Sequence, residues 1–196
     1  KDETTGATKQ ITRRVIFPHS SDPIHPHYTK ETLPNGKTIW IYHTFYPFQF
    51  DLNFQNPAVI NQVYNIVGFW ANKGIDIFRL DAIPFLIKDQ ESDPRTYKIV
   101  QLINYFLKQV SPRSVLMVEA CQPPEMVKKY FGTGKSIFNN HFEKSINSTT
   151  GAQIAYNFDL MEKTWASLLS FNKKFLIEGI EQMPELPKGT AWGLFL

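Results

Sequence analysis

The chain has little cysteine, little charge imbalance and no long apolar run, and each lack closes off a class of function. Cys121 is the sole cysteine among 196 residues, so no internal disulfide can form and nothing argues for an oxidising compartment. A reactive thiol needs a nearby histidine and a tuned pKa. None can be read beside Cys121, and an inert thiol is expected. Lys+Arg number 21 against 18 Asp+Glu, a net charge of +3. That is too mild for a nucleic-acid surface, and no basic run interleaves with aromatics. No stretch approaches the roughly 18 apolar residues of a membrane span. Lys1 to Lys9 is polar, without the apolar centre of a signal peptide. The expectation is a cytoplasmic protein with neither nucleic acid nor membrane as partner. Asn147-Ser148-Thr149 fits a glycosylation acceptor, which matters only in a secreted eukaryotic protein.

What is present suits a globular core: 42% hydrophobic and 14% aromatic residues. Residues 1–30 are polar, with Pro18, Pro23 and Pro26 and with histidines at 19, 25, 27 and 43 in or near the segment. That histidine spacing matches no zinc template, and the prolines favour an extended loop. Asn35-Gly36 is a hairpin turn signal, because both residues tolerate positive φ. Lys37 to Phe45 has the aromatic and β-branched content of a strand.

Asn56-Pro57 starts a helix, a capping side chain followed by proline at the first helical position. Ile60, Val63, Tyr64, Val67, Trp70 and Ala71 recur on one face of it, and Gly74 closes it. Ile75 to Leu80 then has strand length. Asp93-Pro94 opens a second helix, whose buried face is expected at Ile99, Leu102, Ile103, Phe106 and Val110. Ser111-Pro112 ends it, Val115 to Val118 is the next strand, and a further helix runs from about Phe158 to Ser170. Neither strand alternates, so both read as buried on two faces, in a parallel sheet with helices outside. Lys135 to Gln153 is polar and reads as an irregular surface loop. The division expected is a loop region with a hairpin over 1–55 and an α/β unit over 56–196.

Each of the two strands ends in an acid, Asp81 after Arg79-Leu80 and Glu119 after Val118. In a parallel α/β barrel the C-terminal strand ends converge on the active site. A carboxylate there is costly to bury unless paired, so two facing one mouth suggest an acid/base or nucleophile pair. The bland alternative is that each caps the following helix or pairs with a local arginine. Arg79 lies two residues before Asp81, on the same side of the strand. Its charge would hold Asp81 ionised, which suits a nucleophile, and leave Glu119 as the group with the higher pKa. A carboxyl separation of about 5–5.5 Å would mean retention of configuration, and a wider one inversion.

At these residues the sequence resembles the α-amylase superfamily of glycoside hydrolases. Gly74 to Ala82 (GIDIFRLDA) resembles the superfamily's nucleophile motif, and Glu119-Ala120 its acid/base motif. Phe48-Gln49-Phe50-Asp51-Leu52-Asn53 with Asn56-Pro57 is similar to its Q-P-D-L-N…N-P segment, with Phe50 in place of proline. Ile83-Pro84-Phe85-Leu86, Gln122 to Glu125, Tyr130-Phe131-Gly132 and Glu181 to Pro187 with Trp192 resemble the trehalose synthase (maltose α-D-glucosyltransferase) group. Asn157 to Met161 does so too, with Asp159 in place of proline. The likeness runs from about Val15 to Leu196.

The resemblance implies a (β/α)8 TIM barrel, of which this chain is expected to hold strands four to seven and part of the loop domain after strand three. The first motif would precede residue 1. The fourth, with the third catalytic carboxylate, would follow Leu196. The chain by itself is therefore expected to be inactive, and an incomplete barrel with open apolar edges is expected to self-associate. The implied roles are Asp81 as nucleophile and Glu119 as general acid/base, with Arg79, Phe48 and Gln49 binding a disaccharide. The implied activity is conversion of maltose to trehalose. Phe45 and Phe48 would exclude water. The alternatives are an α-glucosidase acting on the same bond and a non-catalytic module that only binds sugar. A calcium site in the group uses the aspartate that matches Asp51, main-chain oxygens near Phe85 and Leu86, and a glutamate where Lys88 stands here. An ammonium repels calcium, so no cofactor is expected.

Overall fold

The computed structural model describes residues 27–87, 93–132 and 150–194. Residues 1–26, with His19 and His25, lie outside them, as do Lys88, residues 135–149 of the polar segment and the glycosylation triplet. The described part opens with an antiparallel hairpin, β1 (Tyr28–Thr32) and β2 (Thr38–Tyr42), turned at Gly36 with φ +79°. The strand expected over Lys37 to Phe45 is shorter, because the chain leaves it at His43 and Thr44, which are buried.

Two capped helices follow, each with the boundary its cap dictates. In α1 (Pro57–Asn72) the Asn56 side chain accepts from the Ala58 N–H at 3.0 Å, and Gly74 follows the end at φ +84°. In α2 (Pro94–Val110) the Asp93 side chain accepts from the Arg95 N–H at 2.8 Å. Such a cap contributes about 1 kcal/mol by satisfying an amide that the helix leaves unpaired. Both expected buried faces need correction at their edges. Trp70 and Val110 are exposed, while Val100, Leu107 and the polar Gln101 and Asn104 are buried.

Four parallel strands form the sheet in chain order: β3 (Ile77–Leu80), β4 (Val115–Val118), β5 (Ile154–Tyr156) and β6 (Ala191–Gly193). This is part of a barrel wall. The expectation of burial on both faces does not hold for β3, where Ile77 is 53% exposed. Among the described residues β3 is an edge strand, paired only with β4. Phe78, Leu80, Leu116 and Val118 face the helices and pack with Val67, Ile99, Val100, Ile103 and Leu107. Ile77, Arg79, Val115 and Met117 share the other, more open face.

The expected loop ends directly before β5, at Gln153. Its backbone N–H donates to Leu116 O, its side-chain oxygen accepts from Leu116 N, and its carbonyl accepts from Ala191 N, each at 2.9 Å. One residue thus ties the starts of three strands together. Beyond β5, α4 (Phe158–Ser170) pairs with α5 (Lys174–Glu181), and a short helix, α3 (Pro124–Val127), follows β4. Among the described residues no helix is long and apolar enough to cross a membrane.

Candidate active site

The strand register decides which side chains meet. Leu80, Val118 and Ala155 lie side by side in β3, β4 and β5. One step further along the same strands come Asp81, Glu119 and Tyr156, on the face that carries Arg79. The Glu119 N–H bonds to Leu80 O at 2.9 Å and the Ile83 N–H to Glu119 O at 3.1 Å, so the pairing of β3 and β4 continues through the two acids.

Ala82 makes this possible. It adopts the left-handed conformation, φ +48°, directly after Asp81, which costs a non-glycine residue about 1–2 kcal/mol. The turn aims the Ala82 N–H at the Glu119 carboxylate and leads into a 3-10 turn, Ile83–Phe85, whose Ile83 and Pro84 are buried.

Arg79 joins the acids. Its Nη1 donates to Asp81 Oδ1 at 2.8 Å and its Nη2 to Glu119 Oε2. The guanidinium carbon also lies 5.7 Å from the centre of the Tyr156 ring, and the Tyr156 side chain hydrogen-bonds to it. The Asp81 side chain is 71% exposed and that of Glu119 26%.

The two carboxyls titrate in opposite directions. Asp81 is held below the ordinary carboxylate range, first by a hydrogen bond from Glu119 and then, against partial burial, by the charge and hydrogen bond of Arg79. Glu119 is pushed above it by that same contact with Asp81, by burial and by the neighbouring negative charge, while Arg79 and the Ala82 N–H pull the other way. The split expected from sequence is present, but its larger cause is the acid–acid contact and not Arg79. Arg79 serves both carboxylates and by itself would lower both.

Phe48 and Gln49 are held by their own loop instead of being drawn to this pair. Phe48 stacks on Tyr46 at 5.4 Å with its ring 77% exposed, and the Gln49 N–H bonds to Tyr46 O. The loop meets the strand ends through Phe45, whose ring packs edge-on against Phe85 at 5.4 Å. Sequence reasoning missed Tyr156, and it held Ala82 only as the last residue of the Gly74 to Ala82 motif, without its left-handed turn. Tyr156 belongs to no motif, and only the register of β5 places it beside Glu119.

Asp51, the residue that the resemblance offers as a calcium ligand, is held by Thr44. Thr44 donates to its Oδ1 from the backbone N–H at 2.9 Å and to its Oδ2 from the hydroxyl. Both oxygens are thus engaged by a neighbour that carries no ligand charge. Among the described residues no three His, Cys, Asp or Glu gather as a metal would require. His27 and His43 are tied by a bond from His27 Nδ1 to the His43 carbonyl at 3.2 Å. Cys121 is free and exposed.

A model of the α-amylase catalytic domain matches residues 31–183. A trehalose synthase of Pimelobacter sp. is 32% identical over 167 residues, covering 82% of this chain and 27% of that protein. A trehalose synthase/amylase of Mycobacterium tuberculosis is 32% identical over 162 residues, covering 79% of this chain and 25% of that protein. The chain therefore spans about a quarter of the length of the curated relatives it matches. Among solved structures, the cyclic α-maltosyl-(1→6)-maltose hydrolase of Arthrobacter globiformis, in complex with that sugar, has a TM-score of 0.58 at 16% identity, covering 83% of this chain and 31% of that one. This likeness is one of fold.

Proposed function

The chain belongs to the α-amylase catalytic-domain family, and we propose that the protein carrying it is a retaining glucosyl transferase that converts maltose to trehalose. The observation that supports this reading most is the pair of opposed titrations at adjacent strand ends, Asp81 downward and Glu119 upward. An ionised carboxylate attacks an anomeric carbon, and a protonated one delivers its proton to the leaving oxygen.

In this reading Asp81 displaces glucose from maltose and forms the glucosyl-enzyme, with Glu119 as acid. The released glucose turns within the pocket. Its anomeric hydroxyl then attacks the intermediate while Glu119, now a carboxylate, takes the proton. Arg79, Phe48 and Gln49 contact the disaccharide, and Phe45 and Phe48 keep water from the intermediate. No metal enters this scheme. The resemblance of Tyr130-Phe131-Gly132, Glu181 to Pro187 and the other segments to trehalose synthases, with 32% identity to the Pimelobacter enzyme, favours transfer over hydrolysis. The openness of Asp81 keeps an α-glucosidase as the second reading, since water reaching the intermediate gives glucose by the same two residues.

The test is to incubate the longest reading frame containing this chain with maltose and to follow the anomeric protons by NMR. Trehalose is expected. Glucose as the only product would contradict transfer and leave Asp81 and Glu119 in the same roles within a hydrolase.

A further inference from the structure

We propose that Tyr156 is a positioning residue of this site, holding the Arg79 guanidinium between Asp81 and Glu119. The inference rests on the reading that those two carboxyls perform the chemistry. Arg79 starts on β3 and Tyr156 ends β5, so the guanidinium crosses the end of β4 to reach the ring. There it lies 5.7 Å over the ring centre and takes a hydrogen bond with the same side chain. The ring is itself set edge-on against Phe158, at 6.0 Å and 63°.

A long side chain that serves two carboxylates can swing toward either one or toward water. A third contact, away from both acids, fixes where the charge stands. An aromatic face supplies it by attracting a cation, and it adds no third negative charge that would disturb the acid pair. Among the described residues the titratable groups facing Arg79 are Asp81 from the end of β3, Glu119 from the end of β4 and Tyr156 from β5. Arg79 draws both acids toward lower pKa. A loosened Arg79 therefore lets both rise.

The test uses the full-length protein and the dependence of kcat/KM for maltose on pH, which reports the free enzyme's essential base and acid. In Tyr156→Leu both limbs should move to higher pH by several tenths of a unit, about a twofold to fivefold loss on the acidic limb. Tyr156→Phe keeps the ring face, loses the hydroxyl and should move both limbs in the same direction by less. Should the leucine variant fail to fold, the phenylalanine variant decides alone, and unmoved limbs there overturn the proposal. Unmoved limbs in Tyr156→Leu also overturn it, even under a uniform drop in rate, because a merely structural role lowers kcat/KM equally at every pH. Asp81→Asn separates the catalytic role of the carboxyls from the positioning role of Tyr156. If it keeps the parent's rate, the catalytic reading falls and the Tyr156 role with it. If it is inactive while the tyrosine variants keep the parent's limbs, the Tyr156 role alone is wrong.

Discussion

The carboxyl groups of Asp81 and Glu119 are hydrogen-bonded to each other, and that one contact pushes their pKa values apart. A hydrogen bond between two acids requires one proton between them. Burial and the neighbouring charge give that proton to Glu119, while Arg79 and the greater exposure of Asp81 keep the latter ionised. The division of labour follows from where the strands end.

Replacing either acid should therefore have a different signature. Glu119→Gln in the full-length protein should lower kcat/KM on maltose by about 10²–10⁴-fold, with most of that loss in kcat/KM recovered on a glucoside whose leaving group needs no proton, while kcat stays low because resolving the glucosyl-enzyme still needs the Glu119 base. Asp81→Asn should lose at least as much and recover nothing on that substrate. Steady-state rates on the two substrates decide this, and equal behaviour of the two variants would contradict the assignment.

The same pKa directions make a prediction about stability. A carboxyl raised on folding contributes stability below its unfolded pKa and loses it as pH rises through the folded one. Glu119 is such a group, so its ionisation works against the fold. A glutamine in its place cannot ionise. The Tm of Glu119→Gln relative to the parent should rise between pH 4 and pH 8. A constant difference would mean that Glu119 titrates with an ordinary pKa. Asp81, lowered on folding, contributes stability above its unfolded pKa, and that stability is lost as pH falls through the folded value.

Thr44 and Asp51 give a prediction for the loop region. Thr44→Val deletes the hydroxyl donor to Asp51 and leaves a partly buried carboxylate one bond short. The expected cost is about 1.5–3 kcal/mol, read as a fall in the denaturant midpoint. Because no second carboxylate joins Asp51 in a metal-sized group among the described residues, adding calcium or a chelator should leave the parent's Tm unchanged. A calcium-dependent rise in Tm would show that Asp51 is a ligand after all.

Gly151 marks the return of the chain into the sheet. A Cβ there would stand 2.0 Å from Tyr130 O, a backbone atom that cannot step aside. Gly151→Ala should cost about 1–3 kcal/mol by overpacking, measured by denaturant unfolding. A neutral result would mean that the turn through Gly151 and Ala152 is not held against Tyr130 as the hydrogen bond from Ala152 N to Tyr130 O implies.

Much of this architecture was legible in the sequence because its signals are local. Asn56-Pro57 and Asp93-Pro94 carry the cap and the first-turn proline together, and both helices begin there. Asp81 and Glu119 were legible because each follows an apolar run that ends at a barrel mouth. The edges of the helical stripes were not, since periodicity cannot say how wide the covering layer is, and Trp70 and Val110 fall outside it. β5 and β6 have three residues each, too few for a period, and their identity as strands comes from the neighbours they pair with and from Gln153. Tyr156 stayed hidden for the same reason. Its place beside Arg79 is a property of register across strands distant in sequence, which no local pattern carries.

The most direct test of the central claim is to trap the intermediate. The full-length protein would be incubated with a slow fluorinated α-glucosyl donor, digested, and its peptides weighed by mass spectrometry. One sugar-sized adduct is expected on the peptide containing Asp81, absent in Asp81→Asn. An adduct on another residue, or turnover with inverted anomeric configuration and no adduct, would contradict it.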